Sequence, residues 1–249
     1  MRNPVNVDYA CPFINSSCVK RSHRIEGPYP VCTIKRREDF VCVCPKRFYQ
    51  APLLQDVLEN CWTSERPENP RIAYEVSMKG FGKVDFVVAD IDPTAQSVRN
   101  FISVELQAVD LTGSVEPAYN AVLNSTLLEK RPSHGINWAN VRKRYVSQLI
   151  SKGFFHHHWK TKMVAVMQSV LYAEFRKFIQ FDELVPEQGN IVFMLYDYEP
   201  DPTAPNQHLR LSLSRVVATS HNSLMMGSLY RTPPPRAEFC KKILAFLNR

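Results

Sequence analysis

Three apolar runs, the second rich in valine, follow one another between residues 72 and 108 with only turns between them, and no other feature limits the fold as strongly. The first covers residues 72–78, the second 84–89 and the third 101–108. Lys79-Gly80-Phe81-Gly82 reads as a tight turn, and Asp92-Pro93-Thr94 opens the second connection. Parallel neighbours need a crossover of a dozen residues or more, so runs this close predict an antiparallel meander. Helical periodicity flanks it. Leu53, Leu54, Val57, Leu58 and Cys61 form one stripe behind Pro52. Trp138, Val141, Tyr145, Gln148 and Leu149 form another over residues 138–152, with Gly153 as the stop. Strands over 163–167, 191–196 and 209–218 alternate with helices over 170–179 and 239–247, and a Pro-rich stretch, 199–206, divides the last two strands. The expectation is an α/β fold, a mixed β-sheet flanked by helices. A chain that is 45% hydrophobic and 22% charged can pack such a core, which excludes a disordered or fibrous architecture.

Acidic residues interrupt the meander at telling places. Asp85 stands in Lys83-Val84-Asp85-Phe86, and Glu105 and Gln107 stand in Val104-Glu105-Leu106-Gln107. Side chains alternate along a strand, so Glu105 and Gln107 share a face, as do Asp85 and Val87. Carboxylates among apolar neighbours are costly to bury without a partner, and a divalent cation is a partner that keeps both ionised. Mg²⁺ takes one or two carboxylates and fills its remaining positions with water and phosphate oxygens. The plainer alternative is a pair of edge-strand acids facing solvent. A hairpin through Gly80 and Gly82 brings Glu75 close to Asp85 as a third acid, and Glu59 on the preceding helix competes for that ancillary place.

Residues 1–50 are loop-rich and carry five of the seven cysteines: Cys11, Cys18, Cys32, Cys42 and Cys44, with Cys61 and Cys240 elsewhere. No helix longer than a turn is expected there. An odd count without an export signal argues against a disulfide framework and for a bound metal that stabilises a segment poor in apolar residues. Cys11, Cys18, Cys32 and Cys44 are a four-thiolate set suited to Zn²⁺ or a single iron. Cys42, two residues from Cys44, competes with it for the same ligand place.

Net charge is +7, unevenly placed: +5 over residues 1–50, −6 over 51–128, +7 over 129–162 and +1 beyond. Basic segments on either side of an acidic one suit a polyanion met by a divalent metal, although basic surfaces also serve solubility alone. Arg142, Lys143, Arg144, Lys152, Lys160 and Lys162 are candidates for contacts to phosphate. Arg36, Arg37, Lys46 and Arg47 lie beside the cysteines, where a docking arm would meet DNA. A solvated helix face is the competing reading for the helical group. His156-His157-His158 point in different directions from one element, so they suit a packed turn or a phosphate-facing surface better than one metal site. No apolar run approaches the ~20 residues of a membrane span. Without an apolar leader, the expected compartment is the cytoplasm.

Asp85 followed by Glu105-Leu106-Gln107 resembles the PD-(D/E)xK nuclease core, αβββαβ, with Gln107 where the superfamily usually has lysine. Cys11-Pro12-Phe13 with Cys18, Pro28-Tyr29-Pro30-Val31-Cys32, and Cys44-Pro45 with Arg47-Phe48 resemble the N-terminal module of NotI-type restriction endonucleases. The helix Asn137-Trp138-Ala139-Asn140-Val141-Arg142-Lys143-Arg144 is similar to that family's helix after the third strand. The likeness spans roughly residues 10–150. It implies a four-cysteine metal module over 1–50, holding iron in the family, and an endonuclease domain over 51–249. It further implies catalysis by Asp85, Glu105 and Gln107 with Glu75 as a fourth residue, and Mg²⁺ on Asp85 and Glu105. The implied activity is type II cleavage of double-stranded DNA at a GC-rich palindrome by a homodimer. The implied host is a prokaryote with a cognate DNA methyltransferase. A non-catalytic, metal-stabilised DNA-binding protein and a repair or structure-specific nuclease are the rival readings.

Overall fold

The computed structural model describes residues 9–22, 24–36, 38–128, 135–203, 208–230 and 233–248, the side chains of 139–142 excepted. Two hairpins open the chain, β1 (Ala10–Cys11) with β2 (Ser16–Ser17) and β3 (Thr33–Arg36) with β4 (Asp39–Cys42). A 3-10 helix, Pro45–Gln50, exceeds the single turn expected of this segment. Pro45 starts it with a preset φ, and Phe48, fully buried, anchors it in the core. Then come α1 (Leu53–Asn60), β5 (Arg71–Met78), β6 (Gly82–Asp92), β7 (Ser97–Gln107), β8 (Leu111–Thr112), α2 (Glu116–Asn124) and β9 (Gly135–Ile136). The chain continues as α3 (Trp138–His158), β10 (Lys162–Gln168), α4 (Ser169–Arg176), β11 (Ile191–Pro200), β12 (Leu209–Thr219), α5 (His221–Leu229) and α6 (Arg236–Leu247).

Six strands form one sheet in the order β12-β11-β10-β7-β6-β5. The expected meander is there: β5 with β6 and β6 with β7 are antiparallel. β10 lies parallel to both β7 and β11, and β12 returns antiparallel to β11. The sheet is therefore mixed and flanked by helices, as the alternation of elements predicted. Odd and even positions of its central strands feed two different layers. Val164 and Val166 join Phe86, Val88, Val104, Val192 and Met194 under α1 and the 3-10 helix. Met163, Ala165 and Met167 join Ile191, Phe193 and Leu195 under α3, α4 and α5. Each aliphatic side chain so buried contributes about 1.5–3 kcal/mol of transfer free energy.

The module at the N-terminus shares these layers. Cys42 and Phe48 enter the first and Val41 and Val43 the second. The Gln168 side chain bonds the backbone of this hairpin, accepting from the Cys42 N–H and donating to the Phe40 carbonyl. The Arg47 guanidinium donates to the Leu209 carbonyl at 2.6 Å, and the Thr33 hydroxyl lies 2.6 Å from that of Tyr198.

Gly153 does not stop α3, which runs on to His158. A Cβ at Gly153 would sit 2.7 Å from Ile191 Cδ1 and 3.1 Å from His221 Cβ. The glycine therefore serves close packing of the helix on β11 and α5, and its modest cost within a helix is accepted for that. α5 has no apolar period to announce it. It is defined by its cap, the Ser220 hydroxyl accepting from the Ser223 N–H at 3.0 Å. Among the described residues, no helix is long and apolar enough to cross a membrane.

Candidate active site

Phe86 and Val88 on β6 pair with Val104 and Ile102 on β7, and all four enter the layer beneath α1. Alternation turns Asp85, Glu105 and Gln107 toward α3. One step beyond the Phe86–Val104 pair, Asp85 and Glu105 face each other, and Asp85 Oδ2 accepts the Leu106 N–H at 2.8 Å. On the other flank, β5 pairs Tyr74 with Phe86 and Val76 with Val84, which leaves Glu75 across from Asp85. Glu75 has φ +53°, a left-handed conformation in the middle of a strand. Three acids thus lie in a row across three strands. Glu59 is on α1, on the other side of the sheet, where it accepts from the Gln55 amide.

Burial shapes the electrostatics of this row. It raises the pKa of Asp85, against the Leu106 N–H and the charges of Lys46 and Lys152, while Glu75 adds to the rise. Burial pushes Glu105 up to about 7, opposed by its bond to Lys152 and reinforced by Asp85 and Glu75. At the rim, Lys46 stands 3.6 Å from Glu75. Neighbouring carboxylates whose charge is this costly form an arrangement suited to a cation.

The roof of the site is α3. Tyr145, Leu149, Lys152 and His156, spaced at four, three and four residues, make its buried stripe. Lys152, read from sequence as a phosphate contact, is 2% exposed. Its ammonium donates to Glu105 Oε1 and, at 2.8 Å, to the Lys83 carbonyl. Sequence reasoning missed this pairing, although Lys152 continues the spacing of Tyr145 and Leu149. The Tyr145 hydroxyl is buried with no hydrogen-bond partner among the described residues, and the charges of Glu105 and Asp85 raise its pKa further above what burial alone imposes. His156 donates from Nδ1 to the Lys152 carbonyl at 2.8 Å and packs near Phe101 and Trp159, so it belongs to the core. Gln107 Nε2 donates to the Ala108 carbonyl.

Cys32 and Cys44 flank the β3–β4 hairpin, just before β3 and just after β4. Cys32 and Cys44 share a thiol hydrogen bond, and Cys11 is within electrostatic reach of Cys32. The Lys20 ammonium, which feels Cys18, Cys32, Cys42 and Cys44, donates to the Val31 and Val43 carbonyls at 2.5 and 2.7 Å. The bond from Cys32, aided by the N–H groups of Lys46 and Arg47, lowers the Cys44 pKa against burial, and the same bond holds the proton on Cys32. Cys42 faces the other way, 1% exposed in the layer under α1, with its thiol donating to the Cys44 carbonyl at 3.2 Å. Strand alternation would put residues two apart on one face, but β4 ends at Cys42, and beyond that end Cys44 turns to the side of the cluster, where it meets Cys32. Among the described residues, no group of three or more His, Cys, Asp or Glu side chains stands in metal-holding geometry.

Of the other basic candidates, Lys143, Arg144, Lys160 and Arg36 are exposed. Arg37 and the Arg142 side chain lie outside the described residues. Lys162 donates to the Pro186 carbonyl, and Arg47 is held between Leu209 and the rings of Phe13 and Tyr198.

An acidic row lies under a basic helix, on a mixed sheet tied to a cysteine-bearing arm. The family model described as "Restriction endonuclease NotI" matches residues 6–209, a span that contains both the cysteine cluster and the acidic row. The chain belongs to the NotI restriction endonuclease family, within the type II enzymes. No curated protein matches it.

Proposed function

We propose that this protein cuts both strands of a specific duplex sequence by Mg²⁺-dependent phosphodiester hydrolysis at Asp85 and Glu105, on a PD-(D/E)xK core in which Gln107 takes the last motif position. One observation carries the reading: a buried Glu105 and a half-buried Asp85 on adjacent strands lie opposite each other, and desolvation raises the pKa of both. A divalent cation between them offsets that cost. Their oxygens are the hard donors Mg²⁺ takes, and two carboxylates leave its other positions for water and phosphate. Asp85 and Glu105 would hold the ion, with the Leu106 carbonyl beside them. Bound there, it supplies a water of lowered pKa and stabilises the charge that builds on phosphorus. Asp85 is oriented by the Leu106 N–H, and Gln107 offers a neutral amide at the same edge. Glu75, across from Asp85, serves as an ancillary acid.

Lys143, Arg144 and Lys160 supply exposed positive charge for the phosphate backbone. Cys11, Cys18, Cys32 and Cys44 offer four soft donors for a structural iron or zinc, and the thiol bond between Cys32 and Cys44 supports two of them as neighbours in that set. A GC-rich palindrome, a two-fold dimer, a cognate methyltransferase and a prokaryotic cytoplasm complete the reading by family resemblance. The test is digestion of phage DNA with and without Mg²⁺, with fragment ends sequenced. Discrete ends at one palindromic sequence are expected. Asp85→Asn and Glu105→Gln should each lose cleavage by at least about a hundredfold and keep DNA binding in Ca²⁺. Wild-type rates in either variant overturn the assignment.

A further inference from the structure

We propose that Lys152 is the cationic residue of the cleavage centre, delivered by α3 rather than by the strand position that Gln107 occupies, and that it acts by positioning Glu105. This rests on the reading of Asp85 and Glu105 as the centre. The usual superfamily lysine would stand at position 107, where this chain has a neutral amide already engaged with the Ala108 carbonyl. The positive charge comes instead from above. The Lys152 ammonium bridges Glu105 Oε1 on β7 and the Lys83 carbonyl on β6, two residues before Asp85. It therefore ties the two acid-bearing strands together just where their paired ladder ends at Phe86 and Val104. Among the described residues, the other lysine within reach of these acids, Lys46, is at the rim beside Glu75.

The burial of Lys152 argues for function over stability. Its side chain is 2% exposed and that of Glu105 10%. A buried ion pair commonly stabilises a protein less than a well-packed apolar pair of the same volume, so its presence points to a role that an apolar pair could not fill. Removing the ammonium frees the Glu105 side chain to rotate and leaves its charge without an offset. The buried Tyr145 hydroxyl lies four residues before Leu149 on the same stripe and near the same carboxylates, so α3 presents two polar side chains to this point.

Single-turnover cleavage of a cognate linear duplex by the full chain, measured over a range of Mg²⁺ concentrations, tests the assignment. Lys152→Met keeps the side-chain volume and removes the charge. Its rate should fall about 10–100-fold and its half-saturating Mg²⁺ concentration should rise, while DNA binding in Ca²⁺ stays unchanged. Lys152→Arg should recover part of the rate. A purely structural role would not move the Mg²⁺ requirement of the folded variant. Lys152→Gln is the second neutral variant. If neither neutral variant folds, Lys152 belongs to the core and the proposal is overturned. It is overturned equally if wild type cleaves and Lys152→Met cleaves at the same rate with the same Mg²⁺ requirement. Wild type that cleaves in no divalent cation removes the reading of Asp85 and Glu105 instead.

Discussion

Glu75 carries information in its backbone as well as its carboxylate. A non-glycine residue at φ +53° inside a strand costs about 1–2 kcal/mol, and such strain gathers at working sites. The conformation fits the position, since Glu75 stands across from Asp85 and beside Lys46. Glu75→Gly should therefore match wild type in urea unfolding to within about 1 kcal/mol, because glycine adopts this φ freely. Glu75→Val should lose about 1–2 kcal/mol, because a β-branched side chain is the poorest occupant of a left-handed position. Equal stability of the two variants would show that the conformation carries no strain. The hairpin reading of the sequence puts Glu75 near Asp85, and the two lie within electrostatic reach of each other. Its left-handed backbone was not legible, since nothing in Tyr74-Glu75-Val76 departs from an ordinary strand. Asp85, Glu105 and Gln107 were legible because polar residues in apolar runs stand out. Lys152 was not, because a lysine in a basic helix looks like every other lysine there until the partner across the gap is known.

At the level of elements, the meander and its flanking helices could be read because periods of two and of three to four dominate those segments. The end of α3 could not. A glycine after an apolar stripe is the usual sign of a helix stop, and the penalty for continuing through it is only about 1 kcal/mol. Close approach to Ile191 outweighs that penalty. Gly153→Ala tests the balance. On propensity alone it should stabilise by about 1 kcal/mol, but the added Cβ would meet Ile191 at 2.7 Å, so a net loss of about 1–3 kcal/mol in urea unfolding is expected. A gain in stability would mean that the helix can lift away from β11. α5 escaped notice for a different reason. Leu224 is its one fully buried side chain, too little to print a stripe, and a serine cap leaves only a weak local mark.

Across the whole molecule, the arm at the N-terminus is coupled to the sheet through Gln168, Tyr198 and Leu209. Loss of the proposed metal from Cys11, Cys18, Cys32 and Cys44 should therefore be felt beyond the arm. Chelation, or Cys44→Ser, should remove about one equivalent of iron or zinc and lower the melting temperature by several degrees, with both followed on the same sample. Cys42→Ser, altering the thiol that faces the sheet, should keep the metal. Metal retained by Cys44→Ser and lost by Cys42→Ser would reverse the roles of the two. The layered order of the sheet followed from the alternation of elements, but the sharing of core between residues 33–50 and the strands did not, since it depends on contacts between positions more than a hundred residues apart.

The unbroken course of α3 also bears on how grip and scission communicate. Lys143 and Arg144 are exposed near one end of this rod, and Lys152 touches Glu105 about 13 Å further along at the usual rise per residue. If the proposed duplex contacts load the first pair, a rigid α3 would carry the tilt to the ammonium, and a poorly seated sequence would misalign the proposed scissile centre without touching it.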